Sequence, residues 1–476
     1  MIKELRDKIV AKKISATEVA KEYGKKAKAL NKEYNSFVSF TEDLALEQAK
    51  AVDERIAQGK EAGKLAGVPI AVKDNMLVRG YPATNGSNML ARYIASFDAD
   101  VVKFLKEEGA LIIGKTNMDD AAMGSSSETS HFGPVKSNVQ GDLVPGGSSG
   151  GSAVAVSSGQ VVAALGSDTG GSIRQPASFT GIIGLKPTYG RVSRSGLIAM
   201  ASSLDQIGSL TKTVDDAALL LEVISQGTRF DGTYARKDFH QPRITEQEIR
   251  GHLKNLRIGV PEEFFGEGLD AAIERATRRA LGALEKEGAT LVPLSLPSVA
   301  YALACYYVLM PAEVSSNLAR YDGIRYSPVD VEGAKGATLE EAYGALRYKG
   351  FGKEVRRRIV LGTYVLSAGY VDKYYLQAQR VREKITDDFK EAFNEVDIIA
   401  GPTSPTFPFR LGEKQSDPLS MYLSDIYTVA ANIAGLPGIS LPLPGLPLPA
   451  GLQLMAPHFE EERLLIAARG YELVQS

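Results

Sequence analysis

Short apolar runs that favour strands alternate along this chain with stretches of helical period, and that alternation limits the folds open to it. The strand candidates are "GVPIAVK" (67–73), "ALIIG" (110–114), "VVAAL" (161–165), "GIIGLK" (181–186), "NLRIGV" (255–260), "TLVPLSL" (290–296), "VDIIAG" (396–401) and "GLQLMA" (451–456). Between them lie "DADVVKFLKEEG", "TVDDAALLLEVIS" and "AAIERATRRALGALEKEG", each apolar on one helical face. Strands this apolar are buried on both faces, so the expected fold is α/β, with a buried, largely parallel or mixed sheet. The chain has 476 residues, 44% of them hydrophobic, enough for one large α/β unit or two to three domains. Residues 1–60 read as an N-terminal helical segment, with Ser15 and Glu18 spaced as a capping box. Residues 61–476 read as the main domain, and about 300–395 as a mostly helical cap. The polar stretch 225–247 has little periodicity and reads as a surface connection.

Composition removes several functions. There are 55 basic and 57 acidic side chains, a net charge of −2, so no global basic field advertises nucleic acid. A single cysteine, Cys305, excludes an intrachain disulfide framework and a multi-cysteine zinc site. His131, His240, His252 and His458 are scattered without ligand spacing, so no metal is expected. The N-terminus lacks the apolar stretch of a secretory signal. The longest apolar run, 300–310, falls short of the roughly 20 residues that span a bilayer. A soluble, cytoplasmic protein without membrane contact is expected.

Three motifs compete for the chemistry. "GALIIGKT" (109–116) satisfies the phosphate-loop pattern, but its four middle residues look like the strand itself, whereas a phosphate-cradling loop follows a strand and opens a helix. "GGSSG" (146–150) satisfies the nucleophile-elbow pattern, but Pro145 and the glycines beside it argue against the strand that an elbow needs. The third reading combines Lys73, at the end of an apolar strand, with the two Gly-Ser clusters around Ser148 and Ser172. Burial without a carboxylate partner lowers a lysine's pKa and can make it a base near neutral pH.

The block "GGSSGGSAVAVSSGQVVAALGSDTGGSIRQPASFTGIIGLKPTYGRVS" resembles the amidase-signature family of serine hydrolases, and the resemblance extends from "GVPIAVKDN" to "GLQLMAP". The later segments "YYVLMPAEVSSNLARYDGIRY", "GFGKEVRRRIVLGTYVLSAGY" and "DPLSMYLSDIYTVAANIAGLPGISLPLP" are similar to one branch, the glutaminase subunits of tRNA-dependent amidotransferases.

The resemblance implies the amidase-signature fold, a large mixed central sheet covered by helices on both faces, with a nucleophile at Ser172, a bridging hydroxyl at Ser148 after a cis peptide, and a base at Lys73. It implies an oxyanion site built from the backbone of Thr169, Gly170, Gly171 and Ser172, with Arg174, Ser149 and Asp168 bracing the loops. Glutamine would be held by Arg358 and Asp425, with Tyr306 as a wall. Arg356, Arg357 and Arg358 are consecutive, yet successive helical residues point about 100° apart, so one can face inward while the others stay wet. The implied activity is that of a carbon–nitrogen ligase with glutamine as amido donor. This chain would release ammonia for the conversion of Glu-tRNA(Gln) to Gln-tRNA(Gln), within a heterotrimer whose B and C subunits complete it. No cofactor is expected in this chain, and ATP and Mg²⁺ are expected in a partner subunit. The alternatives are a free-standing amidohydrolase of the same family and a catalytically silent scaffold subunit. The chain departs from the branch pattern at Thr180, commonly cysteine, at Asp120, commonly glutamate, and in the short proline-rich loop "LPLPGLPLPAG".

Overall fold

The computed structural model describes residues 1–329 and 338–475. Residues 330–337, within the expected cap, lie outside the described residues. The strands are β1 (Phe37–Phe40), β2 (Pro69–Lys73), β3 (Leu111–Thr116), β4 (Ala163–Asp168), β5 (Ile183–Lys186), β6 (Gln206–Thr211), β7 (Arg257–Pro261), β8 (Thr290–Leu294), β9 (Ile398–Pro402), β10 (Gly438–Pro442) and β11 (Gly451–Met455). They form one eleven-stranded sheet in the order β1-β3-β2-β4-β6-β5-β10-β11-β9-β7-β8. β2 runs parallel to β3 and β4, and β7 parallel to β8 and β9, while the middle of the sheet is antiparallel. The expected mixed α/β sheet is therefore present.

Side-chain alternation divides each strand between two apolar layers. Ile70, Val72, Ile112, Ala163 and Leu165 join a core on one face with helices Val214–Ile224, Ala271–Lys286 and Glu461–Gln475. Ala71, Leu111, Ile113 and Ala164 point to the other face, where they pack with helices Ala16–Tyr34, Glu42–Ala57 and Gly150–Ser157. Further along that face, Ile399 and Met455 meet the cap helices Ala302–Asn317, Lys353–Val365 and Leu376–Glu395. The expected helical segment 1–60 supplies three helices and also the edge strand β1, antiparallel to β3; the Ser15–Glu18 capping box opens the second helix.

Two glycines explain how the middle strands serve the site. A Cβ on Gly184 would lie 2.6 Å from the Ala177 Cβ, and one on Gly208 would meet the Leu185 carbonyl and Ile173. Small residues here let the helix Arg174–Thr180 lie directly on the sheet. The same substitution of small for apolar residues hides β6 and β10 from a reading of hydrophobic runs, and β1 is only four residues long. β4 starts two residues into its apolar run, at Ala163, and continues through Gly166, Ser167 and Asp168.

The phosphate-loop match lies within β3 and the residues just before it. Lys115 is fully buried and donates to Asp74 Oδ1 (3.0 Å) and to the Pro82 carbonyl (3.1 Å), while Asp74 also accepts from the Thr84 hydroxyl. Removing one partner of such a pair leaves the other charge buried and unpaired. Lys115→Met is expected to destabilise the protein by about 3–5 kcal/mol in urea denaturation; a change below about 1 kcal/mol would show that the pair does not hold these strands together.

Candidate active site

Lys73 is the last residue of β2 and Asp168 the last of β4, so both project from the carboxyl ends of adjacent parallel strands, where α/β sheets commonly place ligands. The Lys73 side chain is wholly buried. Its amine donates to Ser148 Oγ (2.8 Å), Ser149 Oγ (2.9 Å) and Ser167 Oγ (3.0 Å). Asn75 Nδ2 donates to the same Ser167 hydroxyl (2.9 Å). No ion pair of Lys73 forms among the described residues. Burial lowers its pKa to about 7, against the opposing fields of Asp119, Asp168 and Asp205. At neutral pH a substantial fraction of this amine is uncharged and able to accept a proton.

The Gly147–Ser148 peptide is cis. Around it, Gly147 N–H donates to Gln175 Oε1 (3.0 Å), Ser127 Oγ donates to the Gly146 carbonyl (2.8 Å), and Ser127 N–H donates to Asp119 Oδ2 (2.9 Å). A Cβ at Gly147 would collide with the Asp119 carboxylate, so only glycine fits there.

Ser172 lies on the loop that follows β4 and, unlike Lys73 and Ser148, is only partly buried. Its carbonyl accepts from Ser149 N–H (3.2 Å), which joins the two Gly-Ser loops through the backbone. Among the described residues its hydroxyl makes no hydrogen bond, so the Ser148–Ser172 leg of the expected relay is open in this structure. Asp168 organises the loop. It accepts from Gly171 N–H (2.8 Å) and Ile173 N–H (3.2 Å) and from Arg174 Nε and Nη2 (both 3.0 Å). Burial pushes the Asp168 carboxyl up, but the Arg174 charge and its hydrogen bonds outweigh that and hold it well below the usual carboxylate range. The Gly171 amide, expected among the oxyanion donors, is thus engaged by Asp168, which leaves the amides of Thr169, Gly170 and Ser172 for that purpose.

The residues expected to grip glutamine divide between two walls. Of the three consecutive arginines only Arg358 is buried; its Nε donates to Glu354 Oε1 (2.8 Å), and its guanidinium lies near the rings of Tyr307 and Tyr422. Arg358 lines a cavity of about 260 Å³ with Asp120, Ser125, Ser126, Glu354 and Tyr422, among others. Asp425 accepts from Ser125 Oγ (2.5 Å) through Oδ2, and its Oδ1 is buried without a partner. Burial raises its carboxyl to about 7. Tyr306 is buried against the loop after β4: a Cβ at Gly170 would lie 2.7 Å from its Cζ.

Lys73, Ser148, Ser172, Tyr306 and Asp425 do not line the cavity, but Ser125 links it to them. The Ser125 carbonyl accepts from Gln175 Nε2 (3.0 Å), and Gln175 also accepts from Gly147. Sequence reasoning missed Ser167, Asn75, Ser125, Gln175 and Glu354. Only Glu354 carried a usable signal, its spacing of four from Arg358 on a helix. Among the described residues no group of three or more His, Cys, Asp or Glu side chains is placed to hold a metal, and no helix is long and apolar enough to cross a membrane.

Comparison with known proteins defines the class. Residues 18–465 match the family described as Amidase, and the chain belongs to that family. It is 52% identical over 475 residues to the A subunit of the glutamyl-tRNA(Gln) amidotransferase from Carboxydothermus hydrogenoformans, covering 99% of this chain and 96% of the relative. The crystal structure of the A subunit of the glutamyl-tRNA(Gln) amidotransferase from Thermotoga maritima is similar at 40% identity and a TM-score of 0.77, covering 97% of this chain and 94% of that one. A native peptide amidase from Stenotrophomonas maltophilia shares the fold at 27% identity and a TM-score of 0.78, covering 98% and 95%.

Because only neutral Lys73 can accept a proton, amide hydrolysis is expected to be weak at acid pH and to rise through about 7. Lys73→Arg keeps a cation that cannot deprotonate and is expected to lower kcat/KM by about 10²–10⁴-fold at pH 8, nearly as much as Lys73→Ala. A pH–rate profile checks both, and substantial activity in Lys73→Arg would take the base role from Lys73.

Proposed function

We propose that this chain is the glutamine-hydrolysing subunit of an amidotransferase that converts Glu-tRNA(Gln) to Gln-tRNA(Gln), a carbon–nitrogen ligase using glutamine as amido donor. The observation that carries the reading is the 52% identity, over almost the whole of both chains, to a protein named for that activity. The setting of Lys73 among hydroxyls supports the chemistry.

In this reading neutral Lys73 takes a proton from the Ser148 hydroxyl as Ser148 takes one from Ser172. Ser172 Oγ then attacks the carboxamide carbon of glutamine. The oxyanion that forms is met by the backbone amides of Thr169, Gly170 and Ser172; losing one such donor costs about 3 kcal/mol of transition-state stabilisation. The proton held by Lys73 returns through Ser148 to the departing nitrogen, and ammonia leaves. A water, deprotonated along the same route, attacks the glutamyl ester, the bond to Ser172 Oγ breaks, and the proton returns through Ser148 to that oxygen as glutamate leaves. The α-carboxylate of glutamine pairs with Arg358 and its α-ammonium with Asp425, with Tyr306 as a wall behind the oxyanion loop. An amine so bound lowers the Asp425 pKa again, because an adjacent cation favours the carboxylate.

The ammonia serves a second site outside this chain. We assign activation of Glu-tRNA(Gln), with ATP and Mg²⁺, to a partner subunit in a cytoplasmic heterotrimer with B and C subunits. A free-standing amidase acting on uncharged amides would have no need of a buried arginine and a buried aspartate facing its site.

Ser172→Ala is expected to abolish ammonia release from glutamine while leaving amidation of Glu-tRNA(Gln) by added ammonium salt intact in the assembled complex. Paired glutaminase and tRNA-amidation assays check this. Ammonia release at the normal rate would remove Ser172 as nucleophile, and the absence of any tRNA amidation with partners present would remove the proposed activity.

A further inference from the structure

Asp120 is buried in the wall of the Arg358 cavity, and the chemistry described so far gives it no task. Its Oδ2 accepts the Gly352 N–H at 2.7 Å, across 232 residues of sequence. Gly352 is the N-cap of the helix Lys353–Val365, which carries both Glu354 and Arg358. A glycine has no side chain with which to cap its own helix, so a carboxylate from a distant loop holds this one. Burial raises the Asp120 carboxyl to about 7, and the Gly352 N–H and the helix dipole favour its ionised form. The approach requires glycine, since a Cβ at position 352 would lie 2.6 Å from Asp120 Oδ2.

The loop that supplies Asp120 is tied at several other points. Asp120 N–H donates to Thr129 Oγ1 (3.0 Å), and Asp119 accepts from Ser127 N–H and the Thr129 hydroxyl. Five residues after Asp120, Ser125 donates to Asp425 and its carbonyl accepts from Gln175. One short loop therefore touches the helix bearing the buried cation at one end and the buried anion near its middle.

We infer that Asp120 is a positioning residue for amino-acid recognition: its bond to Gly352 fixes the Arg358 helix at a set distance from the Ser125–Asp425 pair. The inference rests on the glutamine-clamp reading given above. It assigns Asp120 no contact with substrate and no part in proton transfer. Losing it lets the Arg358 helix shift, which weakens binding of a molecule carrying both α-charges and leaves the hydrolytic step at Ser172 in place.

The test is steady-state ammonia release by the full-length chain in its assembled complex, with glutamine and with a short aliphatic amide that has no α-charges. Asp120→Ala is expected to raise KM for glutamine about tenfold, the scale of one lost hydrogen bond to a charged group. It should change kcat, and kcat/KM for the uncharged amide, by no more than about threefold. Asp120→Asn keeps an acceptor and is expected to restore most of the glutamine KM. Gly352→Pro removes the donor at a backbone φ of −63° that proline already favours, and its Cβ, 2.6 Å from Asp120 Oδ2, pushes the carboxyl aside, so it breaks the same contact by a second route if Asp120→Ala fails to fold. The double variant should be no worse than either single one, because both remove one contact.

Arg358→Ala runs in parallel to separate the two claims. If it weakens both amides equally, the clamp reading fails and this inference with it. If Arg358→Ala is selective for glutamine while Asp120→Ala and Gly352→Pro leave the glutamine KM unchanged, or reduce both amides equally, the clamp stands and the positioning role of Asp120 is overturned.

Discussion

The site depends on a primary amine buried at the end of a strand with hydroxyls around it and no carboxylate in contact. Water is the best solvent for an ammonium, and the shell around Lys73 is a poor substitute: three serine hydroxyls and a weaker approach to the Ser167 carbonyl at 3.4 Å. Burial therefore lowers the pKa to about 7. Asp119, Asp168 and Asp205 oppose that shift, and each is already committed elsewhere. Asp119 binds the Ser127 and Thr129 loop, Asp168 binds Arg174, and Asp205 accepts from the Thr169 hydroxyl and from the backbone of Met200 and Ala201. A direct ion pair to any of them would keep the lysine charged and remove it as a base.

The same committed carboxylates hold the loops in which the serines sit. Arg174 satisfies Asp168 with two hydrogen bonds from its side chain and directs two further donors to Gln453 Oε1 (2.7 Å) and Asn432 Oδ1 (2.5 Å). Asn432 returns a bond to Asp168 Oδ1 (2.9 Å). This closed set ties the loop after β4 to β11 and to the helix Val429–Ile433, and the preceding turn carries Asp425. Thr428 Oγ1 donates to the Gly170 carbonyl (2.6 Å), so the loop after β4 and Asp425 are fastened to one short segment. Buried polar groups cost stability unless fully satisfied, and here that satisfaction also sets the geometry of the reacting groups.

Much of this is legible in the residues. Eight strands are signalled by apolar runs, because a sheet covered on both faces needs apolar side chains on both. β6 and β10 are not, because Gly208 and Ser440 sit where helices and side chains press close. Lys73 illustrates the limit at the site. Lys73, Lys115 and Lys186 each lie at or near the end of an apolar strand, and all are buried. Lys115 pairs with Asp74, Lys186 donates to the carbonyls of Pro187 and Leu436, and only Lys73 faces hydroxyls. Apart from the Pro187 carbonyl beside Lys186, the partners that separate these outcomes arrive from distant segments. The same holds for Asp120 and Gly352, which meet only in the folded chain.

In the proposed mechanism, activation of Ser172 by neutral Lys73, through Ser148, is the step on which the chemistry turns. The most direct measurement of it is labelling by a serine-directed organophosphorus reagent, followed by peptide mass spectrometry, across a range of pH. A single adduct on Ser172 is expected, with a labelling rate that rises through about pH 7 and is lost in Lys73→Ala. An adduct on Ser148, or a rate on Ser172 that is indifferent to both pH and the lysine, would contradict it.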